Sequence, residues 1–363
     1  MSPADAPSSE RVLYSGFRFH HHQPGSGYDA VVGEPRDYVC GDSLPLARHP
    51  DRSTLRHLNF LLTDLVTLAR GLGYDTVHYF YPENTAYLSP WLLRLAGKRI
   101  VYTLHLAECE WLEAVPSPFM RLKQLSLRSA HAIAVLSRQQ EERYRRAFRD
   151  KLVAFVPHGF GFDDALEPPL DTFVARRRER RLVVVGQNYR DLDLLERIIQ
   201  TRGERAVRFE LAGMDAPTRQ RFAHDPSVRC HAWLDPAAYD ALLRSAFAMV
   251  LPLTFATANN ALLEAYEAYL PVLASRIPGI TDYAVDGDRS LFESAEEFWS
   301  KYDALARLSA PEFRRECARL REAARAQFSW TNVREQLRRL YAGECEGVRP
   351  AAPDSAVRAN SGS

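Results

Sequence analysis

Cysteine is scarce in this chain. Five are spread over 363 residues (Cys40, Cys109, Cys230, Cys317 and Cys345), far apart and without a C-x-x-C pair. That spacing excludes a disulfide framework or a zinc cluster and predicts a reducing compartment. An excess of charge of one sign is also missing. The 47 Lys and Arg offset 46 Asp and Glu to a net +1, so no global field draws the protein to nucleic acid or to an acidic substrate. No window approaches the roughly 20 consecutive apolar residues of a membrane span. The opening residues, "MSPADAPSSERVLYSG", show no basic region followed by an apolar stretch, and no secretory leader is expected. Together these absences predict a cytoplasmic protein.

What is present is ordinary globular material, 46% apolar and 26% charged. The length exceeds the size at which a single core stops growing, so two domains are expected. "RVLYSGFRF" (11–19) reads as a first strand and "HHHQPGSG" (20–27) as the loop after it. "STLRHLNFLLTDLVTLARGLG" (53–73) reads as a helix, with Ser53 as cap, apolar residues at 55, 58, 61, 62, 65 and 68, and a closing glycine. "TVHYFY" (76–81), "RIVYTLHL" (99–106), "AIAVLS" (132–137) and "LVAFVPHGFG" (152–161) are short apolar runs with helical patterns between them.

After a polar, Arg-rich bridge the pattern begins again with "RLVVVGQ" (181–187), "RFELAG" (208–213), "VRCHAW" (228–233), "AFAMVLPL" (246–253) and "LPVLAS" (270–275). Repeated strand–helix alternation means βαβ units and parallel sheets. The expected fold class is α/β, with two Rossmann-like doubly wound domains facing across a cleft. The first covers 1–165 and the second 166–329. A terminal helix follows over 330–346, then a tail (347–363) too poor in apolar residues to order itself. Open parallel sheets bind ligands at the carboxyl ends of their strands.

The most informative stretch is "TANNALLEAYEAYLPVLASRIPG" (257–279). With Asn259 or Asn260 as cap, a helix begins near Ala261, and Asn260, Glu264 and Glu267 fall on one narrow stripe of an otherwise apolar surface. The free N–H groups at such a terminus suit a phosphate. An acid one turn further in can accept hydrogen bonds from ribose hydroxyls. A solvated acid, favoured by the helix dipole by a few tenths of a kcal/mol, fits the same pattern.

Extended to "ATANNALLEAYEAYLPVLASRIPGITDYAVDG", the segment resembles the C-terminal signature of family-4-type glycosyltransferases of the GT-B fold. "YTLHLAE", "AHAIAVLSRQQEE", "VPHGF", "VVVGQNYRD" and "FSWTNVREQLRRLY" are similar to further segments of that family, so the resemblance spans most of the chain. It implies an enzyme of the hexosyltransferase type, working in carbohydrate biosynthesis, metal-independent and retaining anomeric configuration. It implies no cofactor beyond a nucleotide-diphosphate sugar as co-substrate. The acceptor would be a carbohydrate, a lipid-linked molecule or a small molecule, taken by the first domain.

The resemblance also assigns roles. Glu264 would hold the nucleotide ribose. The amides of Thr257, Ala258, Asn259 and Asn260 would face the diphosphate, with Gly186 after the strand "VVV" beside them. His105 would touch the donor sugar or its phosphate, and the backbone near Trp233 and Leu234 would read the base. The terminal helix would pack back on the first domain. Two positions depart from the family. Its usual second acid, eight residues before Glu264, is Ala256 here. Its phosphate-binding lysine is replaced in "NYRDLDLL", where Arg190 is the available cation and can clamp a diphosphate bidentately. Ala256 keeps open a GT-B-like protein that binds sugar nucleotides without turning them over.

Other motifs admit two readings each. "PGSGYDA" (24–30) matches G-x-G-x-x-A after a strand, the pattern of a nicotinamide site in an NAD-dependent oxidoreductase. As a glycosyltransferase loop, Gly25 and Gly27 would form a turn opening a helix near the acceptor, with Tyr28 and His22 on that side. Of His20, His21 and His22 only the first and third can share an ion in extended chain. No acid or cysteine at ligand spacing completes a metal set. "DLD" at 191–193 precedes a helical stretch and reads as capping. The basic runs at 118–130 and 176–181 are either solvated faces or a peripheral contact with anionic lipid at the inner membrane face.

Overall fold

The computed structural model describes residues 10–17, 27–45, 54–106, 112–113, 117–162 and 167–344. His22, Gly25 and the tail from 347 lie outside them. The chain forms two compact α/β units, each built on a six-stranded parallel sheet. The first unit contains the described residues up to Val156 together with the chain from Val333. The second contains Pro157–Asn332.

In the first unit the strands are β1 (Val12–Gly16), β2 (Tyr38–Cys40), β3 (Thr76–Tyr79), β4 (Arg99–Leu104), β5 (Ala132–Val135) and β6 (Leu152–Phe155), in the order β2-β1-β3-β4-β5-β6. The helices between them are α1 (Thr54–Gly71), α2 (Pro82–Thr85), α3 (Ser89–Leu95), α4 (Pro118–Arg128) and α5 (Arg138–Ala147). From β2 through β6 the chain steps in one direction along the sheet, passing over β1 on its way from β2 to β3. Right-handed crossovers therefore put α1, α3, α4 and α5 on a single face.

The side chains confirm this alternation. Val77 and Tyr79 of β3 point to that layer, where the Tyr79 hydroxyl meets Ser89 Oγ at 2.7 Å. His78 points to the other face and shares a 2.7 Å hydrogen bond with the Tyr341 hydroxyl. Tyr341 belongs to the last helix, Trp330–Ala342, whose residues from Val333 lie in this unit. Burial pushes His78 down to about 3, so its ring is neutral between Tyr341 and Thr103.

Of the apolar positions that mark α1 as a helix, Leu68 packs against the core and Leu62 is half-buried, but the other four do not pack. Leu55, Leu58, Leu61 and Leu65 are exposed, whereas Asn59, Thr63, Asp64 and Thr67 are buried. The sheet surface beneath α1 presents polar groups, and hydrogen bonding decides the orientation. Asn59 Nδ2 donates to the Gly41 carbonyl at 2.8 Å, and the Thr67 hydroxyl meets Ser15 Oγ at 2.7 Å. Asp64 accepts from the N–H groups of Tyr87 and Leu88 at 3.0 Å, and from Ser89 N and Oγ. One carboxylate thus caps the start of α3, whose first N–H groups have no partner of their own.

The second unit has α6 (Leu170–Glu179), β7 (Arg181–Val185), α7 (Leu192–Gln200), β8 (Arg208–Ala212), α8 (Ala216–Phe222), β9 (Val228–His231), α9 (Pro236–Ser245) and β10 (Ala248–Leu251). After these come α10 (Asn260–Glu267), β11 (Val272–Ser275), β12 (Leu291–Phe292), α11 (Ala295–Arg307) and α12 (Ala310–Phe328). The sheet order is β12-β11-β10-β7-β8-β9. From β7 the chain moves outward through β8 and β9, then returns to the opposite side of β7 as β10. The strand order reverses between β7 and β10, and the crossovers on either side put α7 and α8 on one face and α9 and α10 on the other. Leu182, Val184, Phe209, Leu211, Phe247, Tyr302 and Phe313 fill the core around this centre.

The basic run at 176–181 is a solvated face only in part: Arg178 is exposed, whereas Arg176 is buried. Arg176 is 1% exposed. Its guanidinium donates to the carbonyls of Arg244 (2.8 Å), Tyr269 (2.5 Å) and Ala268 (2.9 Å), stapling α6 to the ends of α9 and α10. Arg181 pairs with Glu179 at 2.5 Å.

These placements make α1 testable. Leu65→Gln should change unfolding free energy by no more than about 0.5 kcal/mol, as at an ordinary surface position. Asp64→Ala should cost about 1.5–3 kcal/mol, the usual loss for hydrogen bonds to a charged acceptor. Urea midpoints of the two variants check both.

Candidate functional site

Doubly wound sheets open a crevice where strand order reverses, and in the second unit that point is the carboxyl end of β7 and β10. Gly186 follows β7 at φ 68°, a left-handed conformation open to glycine at no steric cost. Its N–H donates to the Ala212 carbonyl at 2.9 Å. The two loops leaving the strands then zip together. Asp191 N–H donates to the Pro252 carbonyl at 2.9 Å and Thr254 N–H to that of Tyr189 at 3.0 Å. Asp191 caps α7 by accepting from Leu194 N–H at 2.8 Å, and Asp193 pairs with Arg221 at 2.5 Å, so this Asp-Leu-Asp run is structural.

Arg190 lies in the zipped loops. Its Nη2 donates to the Val185 carbonyl and its Nη1 to that of Asn188 at 3.2 Å, while its Nε is buried without a partner. Desolvation pushes the guanidinium down to about 10, still cationic at neutral pH. Among the described residues no carboxylate forms an ion pair with it. A desolvated cation held only by neutral oxygens is a site that favours an anion.

The next element supplies helix N–H groups. The side chain of Asn259 caps α10, accepting from Leu262 N–H at 3.2 Å. Thr257, Ala258, Asn259 and Asn260 are all half-buried. One turn into α10, the half-buried Glu264 accepts a 2.6 Å hydrogen bond from the Tyr239 hydroxyl of α9. Burial raises the Glu264 carboxyl and the Tyr239 bond partly offsets that. Burial also raises Tyr239, while the nearby charge of Arg190 draws it down. Arg190, Tyr239 and Glu264 therefore form one coupled group.

Tyr239 is the residue that sequence reasoning missed. Its signal was present, since "DPAAYDALL" is a capped helix start and Asp235 accepts from Ala238 N–H at 2.8 Å. Trp233 and Leu234 immediately precede that cap. Trp233 is 75% exposed, six residues before Tyr239. Gly279 holds the floor of the loop. At φ 66° a Cβ there would lie 2.0 Å from the Ala256 carbonyl oxygen, so the "RIPG" turn and the 256–257 segment are in direct contact.

His105 stands in the first unit at the carboxyl end of β4. Its backbone N–H donates to Glu83 Oε1 at 2.6 Å, and Leu106 N–H donates to the same oxygen at 3.0 Å. The imidazole stacks on Tyr81 at 4.3 Å between centroids and meets Tyr28 edge-on at 5.1 Å. Tyr28 is 1% exposed, packed against Phe80 and His105, so it supports the histidine from within the core and does not line an open acceptor surface. Gly27 precedes a single 3-10 turn, Tyr28–Val31, where a longer helix was expected. Glu83 is buried, with Oε2 unpartnered. Burial pushes its carboxyl up to about 7, against the pull of the Leu106 and His105 N–H groups and the Lys123 ammonium.

Comparison with known proteins adds three findings. Residues 179–308 match the family model of glycosyl transferases group 1, and residues 16–159 match that of a glycosyl transferase 4-like domain. No curated protein sequence matches the chain significantly. Among solved structures it is similar to HepE of Anabaena in complex with UDP and glucose, at 13% identity, TM-score 0.59, 84% of this chain and 85% of that one. It is similar to sucrose-phosphate synthase of Thermosynechococcus elongatus at 18% identity, TM-score 0.60, 92% and 88%. A trehalose-6-phosphate structure from E. coli, bound with UDP-2-fluoro glucose, aligns at 11% identity, TM-score 0.59, 82% and 79%.

Two outcomes follow from this geometry. Gly279→Ala should cost about 1–3 kcal/mol through its left-handed backbone alone, and displacement of the Ala256 carbonyl adds to that. Thermal unfolding of the variant measures the loss. Glu83 has a folded pKa above its unfolded one, so its contribution is greatest below the unfolded value of 4.5 and is lost as pH rises through about 7. Between pH 5 and 8 the urea midpoint of wild type should therefore fall relative to that of Glu83→Gln, which keeps an acceptor for His105 N–H but cannot ionise.

Proposed function

The chain belongs to the GT-B glycosyltransferases of group 1, and from that premise we propose that it moves a sugar from a nucleotide-diphosphate donor to an acceptor hydroxyl, with retention. The second unit holds the nucleotide and the first takes the acceptor. The observation that carries this reading is Arg190, a desolvated guanidinium without a carboxylate partner among the described residues, at the strand-order reversal and near Tyr239, which bonds Glu264 of α10.

Glycosyl transfer develops negative charge on the departing diphosphate and positive charge on the sugar ring. Donors fixed in place before the reaction stabilise such charge at no reorganisation cost. Arg190 and the N–H groups over Thr257–Asn260 meet the diphosphate. Gly186, without a side chain, lets the nucleotide come close to β7. Glu264 holds the ribose hydroxyls, with the Tyr239 hydroxyl fixing one carboxylate oxygen. The backbone of Trp233 and Leu234 reads the base. His105, oriented through its backbone by Glu83, addresses the sugar or its phosphate. The leaving phosphate assists deprotonation of the acceptor, and neither a metal nor a further cofactor is assigned a role. UDP is the first nucleoside diphosphate to test, because HepE is in complex with it.

The nicotinamide reading of "GSGYDA" has little to support it. Gly27 leads into one 3-10 turn, which lacks the aligned N–H groups that a helix offers a pyrophosphate. The reading of binding without turnover rests on Ala256 in place of an acid, and release of free nucleoside diphosphate in the presence of mixed acceptors separates it from catalysis.

A thermal-shift screen against UDP, GDP, TDP, ADP, UDP-sugars, GDP-mannose and NAD tests the donor site. A ligand at 100 times its dissociation constant adds about 2.7 kcal/mol of stability. One nucleoside diphosphate should stabilise wild type, with Glu264→Ala and Tyr239→Phe showing a smaller shift. Stabilisation by NAD alone, or an equal shift in Glu264→Ala, overturns the assignment. Arg190→Ala should lower kcat by roughly 10²–10³, as loss of one preorganised donor does.

A further inference from the structure

Besides the apolar residues that it packs inward, such as Leu68, Leu93 and Leu127, the helix layer over the first sheet carries leucines on its outer side. On α1 the exposed stripe is Leu58, Leu61 and Leu65, continued by Leu72, with Leu65 at 56%. On α3 it is Leu88, Trp91, Leu92 and Leu95, with Trp91 at 54% and Leu95 at 68%. Asp64 of α1 receives the N–H groups of Leu88 and Ser89, and Leu93 packs where a side chain at Gly71 would stand. The two helices therefore lie side by side and their stripes are neighbours. Arg94 reaches the carbonyls of Ser129 (2.9 Å) and Ala130 (3.3 Å) at the end of α4. That brings in a third helix, whose exposed residues include Arg121, Leu125 and Arg128.

The charge of this layer has one sign. Residues 54–74, 88–104 and 117–131 contain eight Lys and Arg against a single acid, Asp64, and Asp64 is 2% exposed and consumed by hydrogen bonds. The next helix of the layer, α5, returns to mixed charge, with Glu141 paired to Arg145 at 2.8 Å and Glu142 to Arg146. In a chain of net charge +1, this basic surface, with exposed acids only at its border (Asp75 and Asp150), coincides with the exposed leucines. Contiguous apolar patches of this kind mark interaction sites.

We propose that the outer face of α1, α3 and α4 docks on an anionic lipid bilayer, with Trp91 and the leucine stripes entering the interface and Arg94, Arg121 and Arg128 meeting lipid phosphates. Apolar insertion and cation–headgroup attraction together are the requirements for lying on a membrane. Tryptophan favours the depth at which its ring is half in the headgroups. No helix among the described residues is long and apolar enough to cross a membrane. A second copy of the chain fits less well, because an isologous contact through this face would set guanidinium groups against each other, while the exposed acids at its border, Asp75 and Asp150, already pair with Arg11 and Lys151. The surface lies within one unit and stands independently of the sugar-transfer reading.

Co-sedimentation of the full chain with phosphatidylcholine vesicles and with equimolar phosphatidylcholine and phosphatidylglycerol vesicles tests this. Wild type should partition at least tenfold more strongly to the anionic vesicles at 0.1 M NaCl, and most of that preference should vanish at 0.5 M. Leu65→Glu with Leu95→Glu should lower partition at least tenfold. Arg121→Glu with Arg128→Glu should lower it and flatten the salt dependence. Both double variants should keep the wild-type Tm, since all four side chains are exposed. Brominated lipid should quench fluorescence of wild type more than that of Trp91→Phe. Wild type that stays in the supernatant with both vesicles overturns the proposal, and so do leucine variants that pellet like wild type. A concentration-dependent dimer abolished by Leu65→Glu, without vesicle binding, overturns it in favour of a contact between copies.

Discussion

The nucleotide-side site depends on one constraint, the parallel pairing of β7 with β8 on one side and β10 on the other. Because crossovers between parallel strands are right-handed, reversing direction at β7 sends the following helices to opposite faces of the sheet. The loops after β7 and β10 are then left over the strand ends with no helix above them. Their backbones satisfy each other through the Asp191–Pro252 and Thr254–Tyr189 bonds, which fixes Arg190 and the approach to α10 in a single piece. Moving β10 to the far edge of the sheet would keep every side chain in the sequence and abolish the site.

Within that frame the electrostatics are set by what is withheld. A guanidinium taken out of water normally needs a carboxylate, and the one nearby, Glu264, is engaged by Tyr239. Desolvation acts oppositely on the two groups, lowering Arg190 and raising Glu264. Both shifts would relax on binding a ligand with a diphosphate at one end and hydroxyls at the other. A direct Arg190–Glu264 ion pair would quench both and leave neither free for such a ligand.

The sheets, and the helix carrying Glu264, were legible in the sequence because central parallel strands are buried on both faces and read as unbroken apolar runs. β2 and β12, at three and two residues, are too short to leave such a run. Strand ends were read too long. "RLVVVGQ" stops at Val185 because Gly186 turns left-handed, and no apolar count registers that. Periodicity identified α1 but not which side of it packs, since that was decided by Gly41 and Ser15, residues distant in sequence that offer hydrogen bonds. Arg176 read as solvent-facing for the same reason, because the three carbonyls that bury it come from helix ends 68–93 residues away. Tyr239 became visible only when α9 and α10 were placed on one face.

The two faces of the first sheet are treated in opposite ways, and this difference explains the outward leucines. On one face the last helix closes down through Tyr341 onto a neutral, buried His78, so that side is finished by the chain itself. On the other, α1 spends its polar residues inward on Gly41, Ser15 and the start of α3. Phe60, Val66 and Leu68 share that inner side, and the residues of α1 left for the outer side include Leu58, Leu61 and Leu65. A helix whose only task was to cover a sheet would carry the reverse pattern at lower cost in exposed apolar surface. Where hydrogen bonding takes the inner face and leucine the outer one, the outer face has been left to something other than this chain.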